Sequence, residues 1–311
     1  MTAPIGKSAR SEAVFGSAAR GDFDTLSDRD YLIVDDEAAT LSRRESELRE
    51  QGWSVASYTF KKLAYLAAKG ALFVQHIKLE SKIMTDSDGR LENLLRNFQP
   101  KLSYSDELKA NAQLAAVVSE RPNTPEGALW AADVLYVTLR NFGILAGAEV
   151  GNYAFSYQEV VDWLIHSGAV DLHARSPLMK LRLMKALYRS GEKVPSLQID
   201  EALNSVFAHL PERWFPAQSK SLAPTQILQS AMPAPSGSSA YERLRRIEKY
   251  FIAAISVSPS FRSSEEALNL KAWIENPRAY AFIAGKMEIE HLRLLKSLLD
   301  SRLLKTAMGL R

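Results

Sequence analysis

The sequence predicts an α+β protein: a mixed-sheet domain over residues 1–100 followed by an all-helical domain over residues 101–311. Three observations carry this expectation. The first hundred residues alternate short β-branched or aromatic runs with segments of helical spacing. Beyond Pro100 the apolar residues recur at helical intervals, and most of these segments are closed by Gly or Pro. The chain has 311 residues, 46% of them hydrophobic, enough to fill the core of one large domain or two ordinary ones.

Taken in order, Glu12 to Phe15 is a short approach to Gly16, and "DYLIV" (30–34) is a compact apolar strand that stops at Asp35-Asp36. "EAATLSRRESELREQG" (37–52) is polar with helical spacing and ends at a glycine. "WSVASYTF" (53–60) is β-branched and aromatic enough for a second strand. From Lys61 to Leu79 the spacing is again helical, and "SKIMTD" (81–86) is a last short strand before the turn "SDGR". Past Pro100, helices are expected over 106–120, 125–147, 157–168, 176–191 and 197–210. The Pro/Ser-rich stretch 211–239 is expected to be a long loop, with two or three further helices after it and no internal repeat.

Composition narrows the function classes. With no cysteine, the chain has no disulfide, no thiolate nucleophile and no Cys-ligated zinc. A net charge of +3 falls well short of the concentrated basic fields of nucleic-acid binders, and it suits a small anionic ligand equally well. No apolar run is long enough to span a membrane, and "MTAPIGKSARSEAVFG" lacks the uninterrupted apolar segment of a secretory signal, so the expectation is a cytoplasmic protein with no membrane partner.

The chemistry-bearing stretch is "GSAARGDFDTLSDRDYLIVDD" (16–36). Residues two apart on a strand share a face, about 6.5–7 Å apart, so Asp28 and Asp30 can converge on one hard cation or a close pair, with Arg29 turned away. Gly16 and Gly21 let backbone approach an anion, Ser17 adds a hydroxyl, and Arg20 lies inside the same loop. Triphosphate held beside Mg²⁺ fits this set, and the chemistry implied is phosphoryl or nucleotidyl transfer. An Asp-x-Asp on a strand end and a Gly-Ser turn are each common structural features alone; their combination is the informative part.

Gly-Ser, ten residues, then Asp-x-Asp running into "YLIV" resembles the signature of the DNA polymerase beta-like nucleotidyltransferase superfamily over roughly residues 12–98. The resemblance implies that Gly16 and Ser17 grip the triphosphate of ATP or another NTP and that Asp28 and Asp30 bind Mg²⁺. It implies transfer of NMP, with AMP favoured, to a hydroxyl on an acceptor it does not identify: a small molecule, a protein or RNA. The helical second domain resembles the superfamily's small-molecule and antitoxin-type branches; the Arg-x₄-His pattern of associated ribonucleases is missing, and a homodimer is left open. The superfamily's third carboxylate is absent from "WSVASYTF", where Ser54, Ser57 or Tyr58 stands instead. The alternative is therefore a nucleotide-binding regulatory or antitoxin-like protein with reduced or no turnover.

Two acids could replace the missing one as base, Glu80 and Asp133. Each has a plain rival role: Glu80 as a cap or a partner of Lys78 or Lys82, and Asp133 as a partner of Arg140 two helical turns on. His76 reads first as a packing histidine, Lys61 and Lys62 as solvated charges, and Trp130, Tyr136, Phe142, Tyr153, Phe155 and Trp163 as core, with stacking on adenine as the sharper role.

Overall fold

The computed structural model describes residues 10–22, 24, 26–190, 196–230 and 239–258, together with positions 265, 268 and 293. It is an α+β structure with a small mixed sheet toward the N-terminus and mostly helices thereafter. Two compact units divide it, one drawn from Met1–Tyr104 and Ile144–Val160, the other from Ser105–Gly143 and Val161–Arg311.

The first unit runs β1 (Ser11–Phe15), α1 (Ser17–Arg20), β2 (Asp30–Val34), α2 (Ala38–Glu50), β3 (Ser54–Tyr58), α3 (Phe60–Ala68), α4 (Leu72–Glu80), β4 (Ser81–Asp86) and α5 (Arg90–Asn97). Its sheet has the order β3-β2-β1-β4; β1 is antiparallel to β2 and β4, and β3 is parallel to β2. β2 is apolar from Tyr31 to Val34 because both of its faces are covered there. Ala13, Phe15, Leu32 and Val34 pack with Phe60, Leu63, Val74, Ile77 and Leu91, whereas Tyr31 and Ile33 pack with Leu41, Leu48 and Val55. Burying such aliphatic side chains contributes about 1.5–3 kcal/mol each.

The single helical run expected from Lys61 to Leu79 is two helices. Gly70 breaks it: its φ is 62°, and a Cβ there would stand 2.7 Å from the Lys101 backbone nitrogen. Only glycine allows both the left-handed turn and that approach. The Tyr104 hydroxyl closes the corner by donating to the Gly70 carbonyl at 2.8 Å.

Among the described residues the second unit is built from α6 (Ser105–Ala115), β5 (Glu120–Pro122), most of α7 (Pro125–Glu149) and α8 (Tyr157–His166), α9 (Arg175–Ser190), α10 (Ser196–Phe207), β6 (Lys220–Leu222), α11 (Pro224–Gln229) and α12 (Ala240–Val257). Two of the three unit boundaries fall inside α7 and α8. The expectation of an all-helical domain is corrected here, because β5 and β6 form a parallel two-stranded ribbon, Glu120 opposite Lys220 and Pro122 opposite Leu222. Strands of three residues leave no periodicity to read, and their partners lie a hundred positions apart. β6 and α11 also occupy part of the expected 211–239 loop, and residues 231–238 lie outside the described residues; of the two or three helices expected after that loop α12 is one, and nearly all residues beyond Ser258 lie outside the described residues.

No helix among the described residues is long and apolar enough to cross a membrane.

Candidate functional site

The sheet register assembles the site around Gly16. Phe15 at the end of β1 is flanked by Asp30 of β2 on one side and Ser81 of β4 on the other. The next residue, Gly16, therefore turns between Asp30 and Glu80, and its N–H donates to the Glu80 carbonyl at 3.0 Å. Its φ of 64° and ψ of −146° belong to a region that glycine alone occupies freely. The space a Cβ would take is bounded by Asp30 Oδ2 at 3.5 Å and His76 Nε2 at 3.6 Å, a small polar cradle open only because the residue is glycine.

Ser17–Arg20 then form a four-residue helix closed by Gly21, at φ 82°, whose N–H donates to the Ser17 carbonyl at 2.9 Å. The two glycines thus supply conformation, their own N–H groups being used within the protein. Among the side chains of this turn, the groups that can meet an anion are the Ser17 hydroxyl and the Arg20 guanidinium. Ser17 Oγ donates to the Asp28 carbonyl at 3.4 Å, tying the turn to the acid pair.

Asp30 opens β2 and is half-buried; Asp28 lies two residues earlier, exposed, and outside the strand, where a strand had been expected to carry both. Asp30, Leu32 and Val34 stand beside Ser54, Ala56 and Tyr58 of β3, so the β3 residue level with Asp30 is a serine. Ser57, one of the polar residues read in that strand, instead donates to Glu45 Oε2 at 2.5 Å. A third carboxylate comes from the opposite side of β1, through β4.

That carboxylate is Glu80, at the last position of α4, and its partners are neither Lys78 nor Lys82. Its Oε2 takes the Arg20 guanidinium and, at 3.1 Å, His76 Nε2. Lys78 donates to the Phe98 carbonyl instead, at 3.0 Å. His76 is fixed by rings, stacked on Phe155 at 4.4 Å and 18° and set against the edge of Phe15 at 5.3 Å. Burial works against the Arg20 cation, but the bond to Asp22 and the charges of Glu80, Asp22 and Glu159 more than offset it and hold its pKa above the ordinary value.

Asp133, the other acid considered as a base, lies in the second unit. It is fully buried and bound to Arg189 and Arg245, not to the expected Arg140. Both of its oxygens are occupied: Oδ1 by Arg189 Nε at 3.1 Å, Oδ2 by Arg189 Nη2 at 3.0 Å and Arg245 Nη2 at 2.8 Å. A carboxylate so engaged ties α7 to α9 and α12.

The structure thus brings Gly16, Ser17, Arg20, Asp30, His76 and Glu80 together, with Asp28 tethered through Ser17. His76 is the member that sequence reasoning set aside; its signal is the i,i+4 spacing to Glu80 on one helix. No protein-family model, curated protein or solved structure matches the chain.

Proposed function

We propose that this protein is a Mg²⁺-dependent nucleotidyltransferase that moves NMP, AMP in the first instance, from an NTP to an acceptor hydroxyl. One observation supports the reading above the others: the register of β1 with β2 and β4 sets the Gly16 turn between two carboxylates, Asp30 and Glu80, with Ser17 and Arg20 on the turn itself. The sequence signature over Gly16, Ser17, Asp28 and Asp30 points the same way.

The donor chemistry fits the metal. Carboxylate oxygens are what a hard cation such as Mg²⁺ takes, and the cradle at Gly16 opens beside Asp30. Asp28 and Asp30 would hold it, and the ion would supply charge neutralisation at the phosphates and the leaving pyrophosphate. Ser17 and Arg20 bind and orient the triphosphate. In the transfer the acceptor oxygen bonds to the α-phosphorus, the bond to pyrophosphate breaks, and the hydroxyl proton passes to a carboxylate. Glu80 takes that proton, held by His76 at 3.1 Å.

Two observations favour a second reading. Glu80 is engaged by both Arg20 and His76, and the β3 residue beside Asp30 is Ser54, so a protein that binds nucleotide without turnover fits the same residues. The test is incubation of the purified protein with Mg²⁺ and each α-labelled NTP in turn, offering the protein itself, RNA and small-molecule extracts as acceptors. Label on any acceptor class supports transfer. ATP binding with label on none supports the second reading, and neither binding nor label refutes both.

A further inference from the structure

Glu80 stands beside the Gly16 turn but is already engaged. The pair it makes with Arg20 is largely shielded, the two side chains 12% and 24% exposed, and charges so placed attract each other more strongly than on open surface. Arg20 holds a second anion, Asp22, through Nε at 3.1 Å, and that partner is 58% exposed. The backbone of Arg20 is fixed, since its N–H donates to the Gly16 carbonyl at 3.1 Å. Its guanidinium can therefore change partners by rotation of the side chain alone.

A triphosphate arriving at the turn brings several negative charges and competes for the same planar donor fork, which binds phosphate as well as carboxylate. We propose that Arg20 is a transferable clamp, holding Glu80 in the free protein and passing to the triphosphate on binding, so that Glu80 is uncovered only in the loaded site. This rests on the nucleotide-site reading above and adds to it an order of events. His76 is the positioning residue in the exchange. Gripped between Phe155 and Phe15, it keeps its bond to Glu80 after Arg20 has left, and the Gly16 N–H keeps the Glu80 backbone in place. A carboxylate freed of its guanidinium is open to the acceptor hydroxyl or to a cation, and it is so only when the nucleotide is present.

The test is calorimetry in EDTA with ATP and, separately, inorganic triphosphate, on the wild type, Glu80→Gln, Glu80→Asp, Arg20→Gln and the Arg20→Gln/Glu80→Gln double variant. Both Glu80 variants should bind both ligands roughly five- to tenfold more tightly than the wild type, because the phosphates no longer compete with an ion pair for Arg20. Glu80→Asp keeps the negative charge and only shortens its reach, so its gain reports release of Arg20 rather than loss of a repulsive field. In the Arg20→Gln background the gain from Glu80→Gln should vanish. A gain equally large without Arg20, or no gain in either Glu80 variant, overturns the proposal and leaves the nucleotide site standing. A wild type that binds neither ligand in EDTA or with Mg²⁺ restored overturns the site itself.

Discussion

Asp133→Asn should destabilise the protein severely without touching the nucleotide site. The carboxylate is fully buried in α7 and takes three N–H bonds from two guanidiniums, one of them Arg245, whose side chain is 1% exposed. Asparagine preserves the volume but replaces one oxygen with an NH₂ group that cannot accept from a guanidinium. The buried Arg245 and the part-buried Arg189 are then left to share Glu248, which already meets Arg245 at 2.7 Å. Charge-assisted bonds contribute about 1.5–3 kcal/mol each, and removing one partner of a buried pair costs about 3–5 kcal/mol once the stranded charge is included. For a chain of this size that is a fall in Tm of about 10 °C. Thermal unfolding followed by far-ultraviolet circular dichroism measures it, with ATP affinity as the control that should not move. A fall under about 3 °C would refute the account of this cluster. So would lost transfer at unchanged Tm, which would return Asp133 to the role of base.

Three further outcomes follow from the first unit. Glu80→Gln should cut transfer by about 10²–10⁴ without weakening Mg²⁺·ATP binding, measured as initial rate against calorimetric affinity; an unchanged rate removes Glu80 from the chemistry. Gly16→Ala should cost about 1–3 kcal/mol in urea unfolding, because alanine does not tolerate φ 64° with ψ −146°, and equal stability would show that the turn is not held as described. Glu12 is buried on β1; burial raises its pKa, but bonds from Arg44 and Tyr31 and the charges of Arg10 and Arg44 hold it below the ordinary 4.5. A depressed folded pKa gives stability that is present above about pH 4.5 and lost as pH falls through the lowered value, so Glu12→Gln should be less stable at neutral pH and flatter on the acid side. Parallel acid limbs in the two proteins would contradict this.

The strands and the Gly16 turn were legible because their signals are local. β-branched runs bounded by Gly, Asp and Ser gave β2, β3 and β4 to within a residue or two, and the Gly-Ser to Asp-x-Asp spacing marked where β1 hands over to β2. The company Glu80 keeps was not legible, since it depends on β4 pairing with β1 across some 70 residues and on Arg20 meeting it 60 positions away. Asp133 failed for the same reason: its partners lie 56 and 112 positions along the chain, whereas helical spacing pointed only to Arg140 nearby. The β5–β6 ribbon escaped because three-residue strands have no period, and Gly70 split a helical run through contact with Lys101, which no local pattern encodes.

The central claim, a metal-and-nucleotide site at the Gly16 turn, is tested most directly by calorimetry of ATP binding with and without Mg²⁺, in the wild type and in the Asp28→Ala/Asp30→Ala variant. The wild type should bind ATP more tightly with Mg²⁺ than without it. The variant should lose that metal-dependent gain, because removing both anions leaves the ion without its protein anchor. A double variant that keeps the full Mg²⁺-dependent affinity, or a wild type that binds no nucleotide, would contradict the claim.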